Sequence, residues 1–138
     1  MLIPRETQLK TPILVEVAPG ELIDKITILE IKLERIKEEA KLINVRLELK
    51  NLVEARDCAL ISNAQLNSLS AKLKAANEAL WEIEDEIRNS EREKEFGSAF
   101  VSLARSVYIT NDKRADLKRQ INELLSSSLI EEKSYSNY

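Results

Sequence analysis

The sequence predicts an all-α protein: an antiparallel bundle of three long helices with coiled-coil-like heptad seams, preceded by a short extended N-terminal segment. Three observations predict it. Neither proline nor glycine occurs between Glu21 and Phe96, so the usual helix breakers are missing from that whole span. Apolar residues recur in alternating steps of three and four, the repeat that lets helices pack along a seam. With aromatics at 4% against 33% charged residues, the core must be built from Leu, Ile and Ala, as in helical bundles.

A chain of 138 residues fits a single domain. Residues 1–19 read as an arm. Within it Thr11-Pro12-Ile13-Leu14-Val15-Glu16-Val17 is rich in β-branched residues and reads as extended. A lone strand cannot satisfy its own backbone groups, so the arm must lie on the bundle, pair with a second chain or stay mobile. Pro19-Gly20-Glu21 marks a helix start, with proline in the first turn and Glu21 and Asp24 at the positive end of the helix dipole. Helix 1 is expected over residues 20–57. Its seam is Leu22, Ile26, Leu29, Leu33, Ile36, Ala40, Ile43 and Leu47. The phase survives through Glu38-Glu39-Ala40, which predicts a continuous or gently bent helix, and then drifts toward Leu42, Val45, Leu49 and Leu52. Ile23, Ile28 and Ile31 lie off the seam, Ile31 opposite it at ~100° per residue. The first half of helix 1 should therefore be buried on several sides.

The next break falls between Arg56 and Asn63, where Ser62-Asn63-Ala64-Gln65 has the spacing of a capping box. Helix 2 is expected over 62–95, with Leu66, Leu69, Leu73, Ala76, Leu80, Ile83 and Ile87 on its seam. Gly97 breaks it, and helix 3 is expected over 97–126 along Phe100, Leu103, Val107, Leu117, Ile121 and Leu124. Ser126-Ser127-Ser128 ends it, leaving 127–138 as a tail that is irregular or partly docked. Short loops make consecutive helices antiparallel, which returns helix 3 beside the start of helix 1.

One polar feature interrupts this packing. Thr110 and Arg114 occupy consecutive seam positions of helix 3, with Tyr108, Asn111, Asp112 and Lys118 around them. An unpaired buried guanidinium costs roughly 3–5 kcal/mol, so Arg114 needs a partner or water. In a three-helix register its partner is expected among Glu38, Glu39, Glu84 and Glu86. Two readings follow. The group is a polar layer that fixes register, as single polar seam positions do. Or Tyr108, Thr110, Asn111, Asp112, Arg114 and Lys118 line a cleft for an anionic metabolite, since Arg with Lys suits phosphate or carboxylate.

Other chemistry is poorly supplied. There is no histidine and a single cysteine, Cys58, so a His-based metal site, a His triad and an internal disulfide are excluded. Cys58 suits a reducing compartment, and its only nearby cation is Arg56. Glu30, Glu34 and Glu38, and Glu82, Asp85 and Glu86, repeat at helical spacing but alternate with Lys32, Arg35 and Lys37. That is the pattern of a solvated face rather than a metal centre. No metal or other cofactor is implied. A net charge of −3 with both signs mixed argues against a nucleic-acid partner. No apolar run reaches membrane-spanning length, and a cytoplasmic location is the default. Trp81 lies in an exposed heptad position and marks a second contact surface.

Two segments carry a resemblance. One is Gly20-Glu21-Leu22-Ile23-Asp24-Lys25-Ile26-Thr27-Ile28-Leu29-Glu30-Ile31-Lys32. The other runs from Ala104 through Tyr108, Thr110-Asn111-Asp112-Lys113-Arg114 and Lys118-Arg119-Gln120-Ile121-Asn122, followed by Glu131-Glu132-Lys133-Ser134-Tyr135. They resemble a family of short bacterial helical proteins that is a domain of unknown function. The resemblance implies a standalone bacterial helical unit and brings no substrate or catalytic residue. The functional expectation is a non-enzymatic interaction or scaffold module, self-associating as a homodimer or binding another protein. The alternative is a small enzyme or binding protein for an anionic metabolite at the helix 3 cluster.

Overall fold

The structure is a computed structural model that describes residues 4–138; the first three residues of the expected arm lie outside them. It contains four α-helices where three were expected: α1 (Pro19–Arg35), α2 (Glu39–Ala59), α3 (Ala64–Arg92) and α4 (Ser98–Leu124). The expected helix 1 is two helices. Ile36 and Glu38 are extended (φ −77°, ψ 136° and φ −73°, ψ 115°), and the chain reverses between them. No glycine or proline forces this. The reversal lays α2 against α1, the one helix it touches, and buries Leu42 and Val45. Burying such a side chain contributes about 1.5–3 kcal/mol, which outweighs the few helical hydrogen bonds lost at about 1 kcal/mol each.

The other boundaries follow local chemistry. Pro19 takes the first position of α1 behind an extended Ala18. At α3 the cap is Asn63, whose side chain accepts from the Leu66 N–H at 2.8 Å. Ser62, the expected cap, instead donates to the Asn67 side chain. Gly97 caps α4, with the Phe96 ring edge-on to Phe100 at 5.3 Å.

α1 is the hub and contacts all three other helices. It buries Leu22, Ile23, Ile26, Leu29 and Ile31, so the expectation of many neighbours for the first half of the expected helix 1 is met. Ile23, Leu66, Leu73 and Ile121 form the cluster where α1, α3 and α4 meet. Further along the expected seam, Leu33, Ile43 and Leu47 are exposed. α4 runs antiparallel to α1, because Gly20 meets Asn122 while Asp24 meets Arg114. α3 runs parallel to α1, with Ile23 near Leu66 and Arg35 near Glu82.

α1 and α4 approach closely at Gly20. A Cβ there would lie 2.4 Å from the Lys118 carbonyl oxygen and 2.9 Å from Asn122 Oδ1. After α4 the tail turns back along that helix. Glu131 reaches Lys118, Glu132 reaches Arg119, and the Tyr138 hydroxyl donates to Asp112 at 2.6 Å. The Tyr138 ring packs edge-on against Tyr108. At the other terminus the described part of the arm has a 3-10 turn, Arg5–Thr7. No strand occurs among the described residues. The arm's Leu9, Ile13, Leu14, Val15 and Val17 are exposed.

Candidate functional site

The site is built on Asp24, one and a half turns into α1 and 1% exposed. An isolated carboxylate there would be untenable, and two side chains satisfy it. Arg114 of α4 clamps it in a fork, Nε donating to Oδ1 at 2.8 Å and Nη2 to Oδ2 at 2.6 Å. Asn77 of α3 donates from Nδ2 to the same Oδ1 and to Thr27 Oγ1, both at 2.9 Å. Thr27 in turn donates to the Asp24 carbonyl. One carboxylate thus joins α1 to α3 and α4. Burial pushes the Asp24 carboxyl up. The hydrogen bonds from Arg114 and Asn77 and the charges of Arg114 and Lys118 outweigh it and hold the carboxyl below its usual value. The Asp24 hydrogen bond raises Arg114 in turn.

One turn along α4 a second ionic group closes the same end. Lys118 Nζ lies 2.7 Å from both Glu21 Oε2 and Glu131 Oε2. Burial works against the ammonium, but the hydrogen bonds to Glu131 and Glu21 hold it above its usual value. Lys118 correspondingly depresses Glu131. Asn122 Oδ1 accepts the Gly20 N–H at 2.7 Å, satisfying an amide of the first turn of α1.

The structure therefore splits the sequence-predicted cluster. Arg114 has its carboxylate partner, but it is Asp24 and none of Glu38, Glu39, Glu84 or Glu86. The missed reversal after Arg35 accounts for the difference, since an extra turn-back inverts the direction of the last helix against α1. Lys118 is buried beneath Glu21 and Glu131. Tyr108, Asn111 and Asp112 line a groove of about 910 Å³ between α4 and the tail, with Lys133, Tyr135 and Tyr138. Asn111 also lines a second groove of about 510 Å³, with Arg114, Asn77, Trp81 and the α3 residues Glu84, Asp85 and Arg88. Thr110 is half-buried in α4 and makes no side-chain hydrogen bond to the network.

Sequence reasoning missed Asp24 as more than a capping residue, together with Thr27, Asn77, Asn122, Glu21 and Glu131. The signal for Asp24 and Thr27 was there: two polar residues three apart on a helix half that is apolar all round. Asn77 gave no such signal. The two expected carboxylate runs are partly spent on cations, Glu34 on Lys74 and Glu82 on Arg35. Among the described residues no three His, Cys, Asp or Glu side chains are grouped to hold a metal ion.

Fold and site define an all-helical protein whose innermost helix is knit to two neighbours by a buried ionic network. The chain belongs to a family of unknown function (DUF6165), which it matches over residues 13–138. No curated protein and no solved structure matches it.

Proposed function

We propose that the chain is a helical interaction module that self-associates, with a second copy of itself as the partner of the N-terminal arm. The observation that carries this reading is the exposure of the arm. Leu9, Ile13, Leu14 and Val15 are 76%, 77%, 89% and 74% accessible on an extended segment. Contiguous aliphatic surface beside unpaired backbone is what a second chain covers. On α2, Ile43 and Leu47 also face outward and supply a receiving surface on a helix that touches α1 alone. The alternative, capture of an anionic metabolite at the α4 cluster, is poorly served by its cations. Arg114 is spent on Asp24, and Lys118 on Glu21 and Glu131. The proposal assigns no reaction. It includes a cytoplasmic setting, supported by one exposed, unpaired cysteine. No helix among the described residues is long and apolar enough to cross a membrane.

Sedimentation velocity over a wide concentration range tests it. The expected outcome is a concentration-dependent dimer that the double substitution Ile13→Asp, Val15→Asp converts to monomer with helicity unchanged. A wild-type chain that stays strictly monomeric at the highest concentration would overturn the reading.

A further inference from the structure

The groove between α3 and α4 has a chemistry that neither self-association nor the buried network uses. Asn77 forms its floor. Its orientation is fixed, because a carboxylate only accepts and so the group facing Asp24 must be Nδ2. The amide makes both its hydrogen bonds through that nitrogen, which leaves Oδ1 unused. Among the described residues no side-chain oxygen or nitrogen sealed from solvent lacks a partner. Asn77 Oδ1 is therefore open to solvent, although the residue is only 6% exposed. The groove is the solvent-filled space that Asn77 lines. Next to it lies Arg114, which binds the same Asp24 oxygen. Its Nη1 makes one long bond of 3.4 Å, to Asn111 Oδ1. The groove thus offers an unpaired acceptor and an underused donor, with Trp81, Leu80 and Ile28 among its apolar lining.

We propose that this groove binds a neutral, planar carboxamide. Its N–H would be received by Asn77 Oδ1 and its carbonyl oxygen by the Arg114 guanidinium, with its ring against Trp81. Charge favours a neutral ligand over an anion. The Arg114 charge is neutralised by Asp24, Arg88 is paired with Glu84, and Asp85 at the rim has no cation partner among the described residues. The volume of about 510 Å³ lies in the range of small-molecule sites. Presenting an amide edge to adjacent acceptor and donor groups is how such sites discriminate, because a bound analogue lacking the N–H covers the acceptor and leaves it unpaired.

The sole tryptophan, Trp81, makes the test direct. Full-length protein is titrated with benzamide, benzoate and N-methylacetamide, following Trp81 emission and the side-chain amide resonances of Asn77. Benzamide is expected to give a saturable change in both signals. Benzoate has the same shape but no N–H and a negative charge, and should bind about tenfold more weakly or worse, the equivalent of one lost hydrogen bond. N-methylacetamide lacks the ring and should also bind more weakly. The proposal fails if benzamide gives no saturable response, if benzoate or N-methylacetamide matches it, or if Trp81 responds while Asn77 does not. These signals do not depend on whether the arm self-associates.

Discussion

α1 and α2 carry one unbroken three-four apolar pattern between them, yet they have opposite fates. α1 is enclosed by α2, α3 and α4, and its residues from Gly20 to Ile31 are buried or half-buried apart from the exposed Lys25. α2 touches α1 alone and buries only Leu42 and Val45. A repeat shows which face of a helix is apolar; what covers that face depends on how many partners the fold supplies. The difference is also chemical. α1 carries Asp24 and Thr27 inside its apolar half, each satisfied by α3 or α4, whereas α2 buries no polar side chain. The polar pair makes α1 the place where three helices must meet in one register, and α2 has nothing comparable to fix it.

The largest effect expected from breaking this contrast is at Asp24. In Asp24→Ala, Arg114 keeps its half-buried guanidinium without its carboxylate, and Asn77 loses an acceptor. Breaking one partner of a buried pair costs about 3–5 kcal/mol, and chemical denaturation should show a loss of that size. The pH dependence follows from the same pair. The folded carboxyl lies below its unfolded value, so its stabilisation is complete above the ordinary aspartate pKa of about 3.9. It is lost as pH falls through the lower folded value. Wild-type stability should decline in acid below about pH 4, and the Asp24→Ala variant should show a shallower decline over that window. Equal acid slopes would mean that the pair contributes little.

A smaller effect is expected at the point of closest approach. Gly20→Ala places a methyl group against the Lys118 carbonyl oxygen, a backbone atom that cannot turn aside, and against the Asn122 oxygen that receives the Gly20 amide. Overpacking of this kind costs typically about 1–3 kcal/mol. Gly97→Ala is the control, because a methyl group there meets nothing within 4 Å. It should change the melting temperature far less. If the two substitutions are equally damaging, close approach is not the reason for glycine at Gly20.

Much of this fold was legible in the sequence. Pro19 and Gly97 announced their helix boundaries, and Ile23, Ile28 and Ile31 off the seam announced a helix with several neighbours. The reversal at Ile36–Glu38 was not legible. No residue there breaks a helix, and the heptad phase continues across it; the turn-back is stabilised by the packing of α2 on α1, which buries Leu42 and Val45, and not by any residue of the turn. That single omission placed the expected partner of Arg114 among Glu38, Glu39, Glu84 and Glu86 instead of at Asp24, near the start of α1. The need for a carboxylate could be read from the cost of burying arginine alone. Which carboxylate depended on helix count. Asn77 was hidden for another reason: an asparagine beside the α3 seam is ordinary on a solvated face, and only the position of Asp24 on a neighbouring helix turns it inward.

The smallest effect is expected where α2 looks outward. Ile43→Ala and Leu47→Ala remove side chains that are 58% and 61% exposed, at positions the heptad pattern marks as core. Measured on protein dilute enough to be monomeric, each should change stability by no more than about 0.5 kcal/mol, as surface substitutions do. Leu42→Ala, one residue from Ile43 but 9% exposed, is the internal standard for a buried leucine on the same helix. Self-association sharpens the test. If the arm of a second copy covers this face, Ile43→Ala and Leu47→Ala should weaken dimerisation while leaving the dilute monomer unchanged. A loss of monomer stability comparable to that of Leu42→Ala would instead place both residues in the fold's own core, and α2 would no longer differ from α1.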